Sequence, residues 1–328
     1  MERQDSRLRC SLSDGGGDLF FSLVDYRNDL FVSNNPKKIM EFYSSFKDEN
    51  ELVRWMKERP NGAAYLHEVD GDKEIIVVIP TADYEGEYAK RCREEVFKGL
   101  HIVFVESGNA PDPYFNYARN LNIGITKALE YNPKWIIYSN DDVYKIDDIS
   151  VLKNQLVDFD PGQAQVIYVN PTSYHSYIAR LSASRFSRNF ILFVLGKLRR
   201  YQLSLEKKFN VSNFVSIEKP LYNFLFKKGP KFQVIGNFAI LNGSIVRQMD
   251  GKIFDECYIS GASDFDLSVE IKKKKMVVKS IDYCIGDYFG SYLGKNTPEG
   301  FKNLKGTPRR LRDVANMAYL NCKVQSRK

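Results

Sequence analysis

The sequence predicts an α/β protein built on a mostly parallel, open sheet flanked by helices. Three short, apolar runs rich in β-branched residues, each typical of a strand buried on both faces, occur at 75–80 (IIVVIP), 101–105 (HIVFV) and 135–139 (WIIYS). They begin about 26 and 34 residues apart, which is room for a crossover helix between parallel strands. The intervening stretches at 84–98 and 114–131 are compatible with such helices. The 328 residues are 43% apolar and 27% charged, which provides a sizeable core and excludes a low-complexity scaffold.

The chain on either side of this sheet divides into further regions. Apolar residues recur at helical spacing from Pro36 to about Arg59, and Pro60 and Gly62 end that helix. We therefore predict an N-terminal accessory region over 1–72 and the α/β domain over 73–294. A basic tail over 295–328, with a helical segment, is expected to cover one side of the domain or to mediate assembly.

Cysteine and histidine usage indicates the compartment and restricts the kind of metal site. The five cysteines are scattered and include no C-x-x-C pair, which favours reduced thiols in a cytoplasmic protein. Three histidines nearly exclude a histidine-based metal centre. No apolar run approaches the roughly 18 residues that span a bilayer, and the first residues lack the apolar stretch of a secretion signal. We expect a cytoplasmic protein, soluble or attached peripherally to the inner membrane face.

Acidic residues follow each of the three predicted strands. The strand ends read Pro-Thr-Ala-Asp at 80–83, Glu-Ser-Gly-Asn at 106–109 and Asn-Asp-Asp at 140–142. Ligands of open α/β sheets bind beyond the carboxyl ends of the strands, and neither glycine-rich phosphate-binding motif occurs in this sequence. A carboxylate cluster at that edge suits Mg²⁺ or Mn²⁺ holding phosphates. The alternative for 140–142 is an ordinary turn, but its place after a third parallel strand favours the metal site.

A second acidic pair stands later in the chain. Asp264 and Asp266 precede a short predicted helix that sets Leu267 and Ile271 one turn apart. An aspartate at a helix start is commonly a cap. One of the two carboxylates is instead suited to act as a general base toward a hydroxyl nucleophile, and the two roles are compatible.

The order of these motifs resembles the GT-A glycosyltransferases, in particular the inverting glycosyltransferase family 2. The matching segments are IPTAD, VESGN, NYARNLNIGITKAL, WIIYSNDDVY, GNFAILNGSIVRQMDGKIFDE and SGASDFDL, over roughly 75–287 with an interruption at 175–232. The resemblance implies a GT-A fold and a divalent cation, Mn²⁺ or Mg²⁺. It implies transfer of a sugar, with inversion, from a nucleotide-diphosphate sugar to a hydroxyl of a glycan, lipid-linked or protein acceptor.

The resemblance also implies roles for individual residues. Asp264 corresponds to the general base. The other positions are donor nucleotide binding by Pro80, Thr81, Asp83, Glu106, Arg119, Asn120, Asn140 and Asp141; metal binding by Asp142 and Asp287; and the acceptor or sugar side by Gly236, Asn237, Ser263 and Asp266. This sequence departs from the family pattern in three places: Ser263 replaces a glutamate, Asp287 stands where relatives often have a metal-binding histidine, and Asn-Asp-Asp is a variant of the family's D-x-D turn.

A basic segment interrupts the matching pattern. The segment 180–231 contains twelve Lys or Arg and only two Glu. Its local charge is therefore +10, which leaves about −3 for the rest of the chain. Residues 191–205 have the pattern of a basic amphipathic helix. Such a helix lies either on a membrane, where 185–231 would serve a lipid-linked acceptor, or against the protein's own core. No nucleic-acid partner is expected, because no RNA- or DNA-binding module accompanies the charges.

Two other functions are compatible with the same strand ends. A sugar-phosphate nucleotidyltransferase shares the sheet and the acidic turn, although IPTADYEGEY lacks the glycine-rich basic loop that such enzymes usually carry. A noncatalytic nucleotide-sugar or glycan-binding protein is favoured by Ser263 and by the missing histidine.

Overall fold

The computed structural model describes residues 26–33, 35–108, 114–157, 159, 164–169, 238–258, 263–287 and 307–325. The predicted insert at 175–232 lies outside these residues. The strands are β1 (Tyr65–Val69), β2 (Asp72–Thr81), β3 (Leu100–Glu106), β4 (Trp135–Ser139), β5 (Val143–Lys145), β6 (Val166–Val169), β7 (Phe238–Asn242), β8 (Val278–Ile281) and β9 (Ile285–Asp287). The helices are α1 (26–32), α2 (Pro36–Ser44), α3 (Glu49–Glu58), α4 (Glu87–Arg91), α5 (Tyr117–Leu129), α6 (Ile149–Val157), α7 (Gly243–Gln248), α8 (Ser263–Lys273) and α9 (Thr307–Gln325).

Seven strands form the central sheet in the order β1-β3-β2-β4-β7-β6-β8. Five of them, β3, β2, β4, β6 and β8, run in the same direction, and β1 and β7 run against them. The three strands predicted from apolar runs are neighbours at its centre, with β2 parallel to both β3 and β4. The prediction of an α/β protein with a mostly parallel sheet is therefore confirmed.

Helices cover both faces of the sheet because successive residues of its strands point to opposite sides. Val77 and Ile79 face a core that includes α4 and α6, whereas Ile76 and Val78 face a core that includes α5 and α8. Helix α5 approaches the strands closely at Gly124. A Cβ atom at Gly124 would lie 2.4 Å from Cγ1 of Val78, so only glycine permits this approach.

The first edge strand belongs to the region predicted as accessory. β1 pairs antiparallel with β3, and the predicted boundary after residue 72 falls at the beginning of β2. Most of β1 is exposed or half-buried. An edge strand with so little burial has no continuous apolar run, and its sheet membership was therefore not apparent from the sequence.

The N-terminal helices pack against the C-terminal helix α9 in a separate hydrophobic core. The helix predicted over 36–59 is divided into α2 and α3, because Asp48 caps α3 by accepting a hydrogen bond from the backbone of Glu51 at 2.9 Å. The apolar members of this core include Phe42, Trp55 and Leu311. The predicted helical segment of the tail is confirmed, and its partners are α2 and α3.

None of the helices in the described ranges is both long enough and apolar enough to cross a bilayer.

Candidate functional site

The ends of β2 and β4 meet through a hydrogen bond between side chains. The Thr81 hydroxyl donates to Oδ2 of Asp141 at 2.7 Å. Burial raises the pKa of Asp141 to about 6, although the hydrogen bond from Thr81 acts in the opposite direction. Two of the strand endings that the sequence predicted to converge are therefore in direct contact.

Asp142 lies next in the turn and is buried, with 1% of its surface exposed. The strand that follows, β5, pairs antiparallel with β9 so that Val143 is opposite Asp287. The ring of Tyr144 covers Gly286, where a Cβ atom would lie 2.1 Å from the ring carbon Cζ. This close ribbon brings the backbone of Asp287 beside the acidic turn, while the side chain of Asp287 lies outside the described atoms.

Tyr117, the first residue of α5, connects this turn to the second acidic segment. Its hydroxyl donates to Oδ1 of Asn140 at 2.6 Å. Burial, followed by the negative charges of Asp264, Asp142 and Asp141, raises the pKa of Tyr117 well above its ordinary value. The hydrogen bond joins the start of α5 to the acidic turn, and the charges of Asp264 and of that turn act on the same hydroxyl.

The two aspartates in the first turn of α8 have different surroundings. Asp264 is half-buried, whereas Ser263 and Asp266 are buried. Asp266 forms an ion pair with Lys323 of α9. Burial raises the pKa of Asp266, and Lys323 opposes that effect. The role of Asp266 on the acceptor side stays a prediction, and its observed partner is the C-terminal helix.

Glu106, at the end of β3, is held by two neighbours. Its Oε2 contacts Nε2 of His67 at 2.7 Å, and its Oε1 accepts a hydrogen bond from the backbone of Tyr84 at 3.2 Å. The rings of His67 and Tyr84 are stacked 4.2 Å apart. Glu106 therefore fixes the loop that carries Asp83 against the edge strand β1.

The structure describes three further residues predicted on the donor side, Pro80, Arg119 and Asn120. Pro80 is buried in β2, where it pairs with Val105. Arg119 donates to the carbonyl of Gly62 at 2.8 Å, and Asn120, one residue farther along α5, is buried. The positions of Gly236 and Asn237 lie outside the described residues.

Asn116, which caps α5, and Asn122 within the helix bind the segment that precedes α8. The Nδ2 of Asn116 donates to the carbonyl of Glu256 at 2.6 Å, and the Nδ2 of Asn122 donates to the carbonyl of Phe254 at 2.8 Å. Oδ1 of Asn122 accepts from the backbones of Ile253 and Phe254. These bonds hold the Phe-Asp-Glu segment against the start of the helix that carries Tyr117.

Cys92 contacts the backbone of the acidic turn. Its thiol contacts the carbonyl of Asp141 at 3.3 Å, from a π-helical turn over Cys92–Val96. Burial and the charges of Asp141 and Asp142 raise the pKa of the thiol well above its ordinary value. A protonated thiol is a hydrogen-bond donor, so Cys92 fixes the backbone of the turn.

Sequence reasoning missed Tyr117, Cys92 and His67. An aromatic residue at a helix start and a cysteine within a charged helix are typical of ordinary core positions, and their polar partners are far away in the chain. The one available signal for Tyr117 was its place in the NYARN segment, beside Arg119 and Asn120.

The donor atoms at the acidic turn fit a hard divalent cation, because Asp141 and Asp142 supply carboxylate oxygens. In the part of the chain that the structure describes, no group of three or more His, Cys, Asp or Glu side chains is assembled to hold a metal ion. Asp142 lies in this turn and the backbone of Asp287 lies beside it, and the metal-binding role of both residues stays a prediction.

A scan against protein-family models gives no match, and a search of curated proteins finds none either. Any functional assignment therefore depends on the geometry of this site and on the motifs that form it.

Proposed function

We propose that this protein is a metal-dependent GT-A glycosyltransferase, which transfers a sugar from a nucleotide-diphosphate sugar to an acceptor hydroxyl with inversion. The observation that carries the proposal is the convergence of β2, β4 and the start of α5 at the acidic turn, where Thr81 bonds to Asp141 and Tyr117 bonds to Asn140. The charge of Asp264, which acts on the same Tyr117 hydroxyl, supports it. A general base and an acidic, metal-binding turn must share one crevice for this reaction. The GT-A fold is supported by the parallel core strands whose carboxyl ends carry the turn.

The residues of the turn are suited to hold the donor. Asp142 and Asp287 would hold the divalent cation, which stabilises the negative charge that develops on the leaving nucleoside diphosphate. Thr81 and Asp141, linked by their hydrogen bond, and Asn140 are placed to contact the ribose and the diphosphate.

Asp264 is suited to activate the acceptor. Its carboxylate would accept the proton of the acceptor hydroxyl as that oxygen forms a bond to the anomeric carbon. The bond between the anomeric carbon and the diphosphate oxygen breaks on the opposite side, and its electron pair leaves with the nucleoside diphosphate. Displacement from the opposite face inverts the anomeric centre. The acceptor class remains a glycan, lipid-linked or protein hydroxyl.

Ligand binding to the whole protein tests the proposal directly. Thermal unfolding is measured with UDP, GDP and ATP, each with and without Mn²⁺. We expect stabilisation by a nucleoside diphosphate only when Mn²⁺ is present. Stabilisation by the triphosphate alone would favour a nucleotidyltransferase, and binding of nucleotide sugars without donor hydrolysis or transfer would favour a noncatalytic binding protein.

Replacing the general base separates chemistry from binding. We expect Asp264→Asn to lower the transfer rate by at least about a hundredfold, because loss of a general base commonly costs two to four orders of magnitude, while donor affinity stays within about twofold. Transfer is followed with radiolabelled donor, and affinity by calorimetry. The control is Asp29→Asn, an exposed acid of α1. Near-normal transfer by Asp264→Asn would remove this residue from the mechanism.

Replacing the buried acid of the turn has the complementary effect. Asp142→Ala is expected to weaken Mn²⁺-dependent binding of the nucleoside diphosphate by at least about tenfold, since it removes a charged ligand of the cation. Titration with Mn²⁺ at fixed nucleotide measures the change. Unchanged metal dependence in Asp142→Ala would assign the cation to other residues.

A further inference from the structure

The first residue of the acidic turn is an asparagine whose amide orientation is set from outside the turn. Asn140 follows β4 directly, and its Oδ1 accepts the hydrogen bond of the Tyr117 hydroxyl at 2.6 Å. The backbone carbonyl of Asn140 is engaged as well, by the hydroxyl of Ser139 at 2.9 Å. Both oxygens of this residue therefore face the protein.

Tyr117 is itself firmly placed. It begins α5 immediately after Asn116, which caps the helix through Arg119 and binds the carbonyl of Glu256. Burial, and after it the negative charges of Asp264, Asp142 and Asp141, raise the pKa of Tyr117 and disfavour its ionisation. The hydroxyl thus remains a donor, and a phenol has a single proton to give. Oδ1 of Asn140 receives that proton, and this bond directs the other end of the amide, Nδ2, away from Tyr117.

We propose that Tyr117 is a positioning residue that orients Asn140 so that its Nδ2 group donates hydrogen bonds to an anionic or ribose oxygen of the donor. This inference rests on the proposed function. It deepens that function by assigning opposite chemistry to two residues of the turn. Asn140 supplies neutral N–H groups to oxygens of the nucleotide sugar, and Asp142 supplies negative charge to the cation. The asparagine is then required as an amide.

The assignment makes a distinguishing prediction about charge. A third carboxylate in the turn, introduced by Asn140→Asp, adds a potential metal ligand. If Asn140 acts as a donor to the nucleotide, the same change places a negative charge against phosphate or hydroxyl oxygens and removes the N–H groups. Asn140→Asp should then bind UDP or GDP with Mn²⁺ more weakly than Asn140→Ala does.

A double-mutant cycle tests the coupling between the two side chains. The dissociation constant of the Mn²⁺ complex of UDP or GDP is measured by calorimetry for the full-length protein, Tyr117→Phe, Asn140→Ala and the double variant. We expect about a fivefold loss for Tyr117→Phe and about a tenfold loss for Asn140→Ala, the range of one or two hydrogen bonds. The double variant should lie within about twofold of Asn140→Ala alone, because the hydroxyl acts through the amide.

A matched tyrosine provides the control. Tyr131, just after α5, donates its hydroxyl to Oε2 of Glu68 at 2.7 Å, so Tyr131→Phe removes a similar hydrogen bond away from the turn. It should leave nucleotide affinity unchanged and combine additively with Asn140→Ala. In transfer assays Tyr117→Phe should raise the KM for the donor with little change in kcat, the pattern of lost ground-state binding.

The outcomes distinguish this inference from the function on which it rests. Failure of the unmodified protein to bind UDP or GDP with Mn²⁺ would overturn both. Normal binding by the unmodified protein, together with unchanged affinity in Tyr117→Phe, additive losses in the double variant, or tighter binding by Asn140→Asp, would overturn the role of Tyr117 and leave the proposed function standing.

Discussion

The charges of individual buried and half-buried acids are compensated in two different ways. Asp141 has the hydroxyl of Thr81 as its partner, while Asp255 and Asp266 share the ammonium group of Lys323. A hydroxyl offsets little of the cost of burying a charge, whereas an ammonium group offsets much of it. This difference agrees with Asp141 being a ligand-binding residue and with the Lys323 cluster being structural.

Removing the ammonium group tests that structural role. Lys323→Met leaves the buried Asp266 and the half-buried Asp255 without their cation, so we expect a loss of about 3 kcal/mol in the free energy of unfolding at pH 7. Urea denaturation measures it. Lys279→Met, at an exposed lysine of β8, is the control, and equal effects of the two changes would contradict the prediction.

The same variant has a defined pH dependence. Burial raises the pKa of Asp255, but Lys323 and the backbone of Cys257 together lower it by more. The folded-state pKa therefore lies below the ordinary value. A lowered folded-state pKa contributes stability above the unfolded-state pKa of about 4, and that contribution is lost as the pH falls through the folded-state pKa.

Lys323→Met should reverse this sign. Without the ammonium group, burial would raise the pKa values of Asp255 and Asp266. Protonation of these carboxylates would then reduce the cost of burying them and stabilise the variant. We therefore expect the stability difference between the original protein and Lys323→Met to shrink between pH 7 and pH 5. A constant difference over that range would indicate that the lysine acts through packing alone.

At the scale of secondary structure elements, α5 is the connection between core and site. Its residue Gly124 lies against Val78 and Val105 of the sheet, its N-terminus carries Tyr117, and its polar residues Asn116 and Asn122 hold the segment before α8. The position of the helix over the sheet therefore sets the position of the Tyr117 hydroxyl.

A methyl group on α5 should displace the helix. In Gly124→Ala the new Cβ would lie 2.4 Å from Val78 Cγ1 and 2.8 Å from Val105 Cγ2, so we expect a loss of about 1–3 kcal/mol in unfolding free energy. This outweighs the gain of about 1 kcal/mol that alanine brings to a helix. Chemical denaturation measures the change.

A compensating substitution supplies the control for Gly124→Ala. Val78→Ala opens space at the contact, so the double variant should be more stable than the sum of the two single losses predicts. Strict additivity, or a stabilising effect of Gly124→Ala, would show that the helix already has room to move.

At the scale of the whole molecule, the helices α1, α2 and α3 form one helical unit with α9. The guanidinium of Arg312, fully buried in α9, donates to the carbonyls of Phe31, Val32 and Ser33 at the end of α1. Tyr43 of α2 donates to the carbonyl of Leu311. The Arg312 bonds satisfy carbonyls at the end of α1 that have no partner within that helix, whereas the Tyr43 hydroxyl also accepts from the backbone of Ala315 and so bonds inside α9.

Loss of that guanidinium should loosen the unit selectively. Arg312→Met is expected to increase amide hydrogen exchange in α1, α2 and α3, because several carbonyls lose their donor, while exchange in β2 and β4 stays unchanged. Arg54→Met, at an exposed arginine of α3, is the control. Equal increases throughout the sheet would mean that the helices and the sheet unfold as one cooperative body.

The sequence by itself determined the elements whose signal is local. Runs such as IIVVIP and the apolar spacing of α5 predicted the central strands, their parallel arrangement and the covering helix, because continuous burial demands continuous apolar residues. The acidic strand ends followed from the same argument, and Thr81 and Asp141 are indeed in contact.

Only the tertiary structure decided which distant residues meet. The pairing of β1 with β3, the antiparallel place of β7 between β4 and β6, and the register of Val143 opposite Asp287 depend on partners that periodicity does not specify. The Tyr117 hydroxyl and its partner Asn140 belong to the same class. A residue pattern states which face of an element is buried, but a hydrogen bond between two elements depends on how they dock.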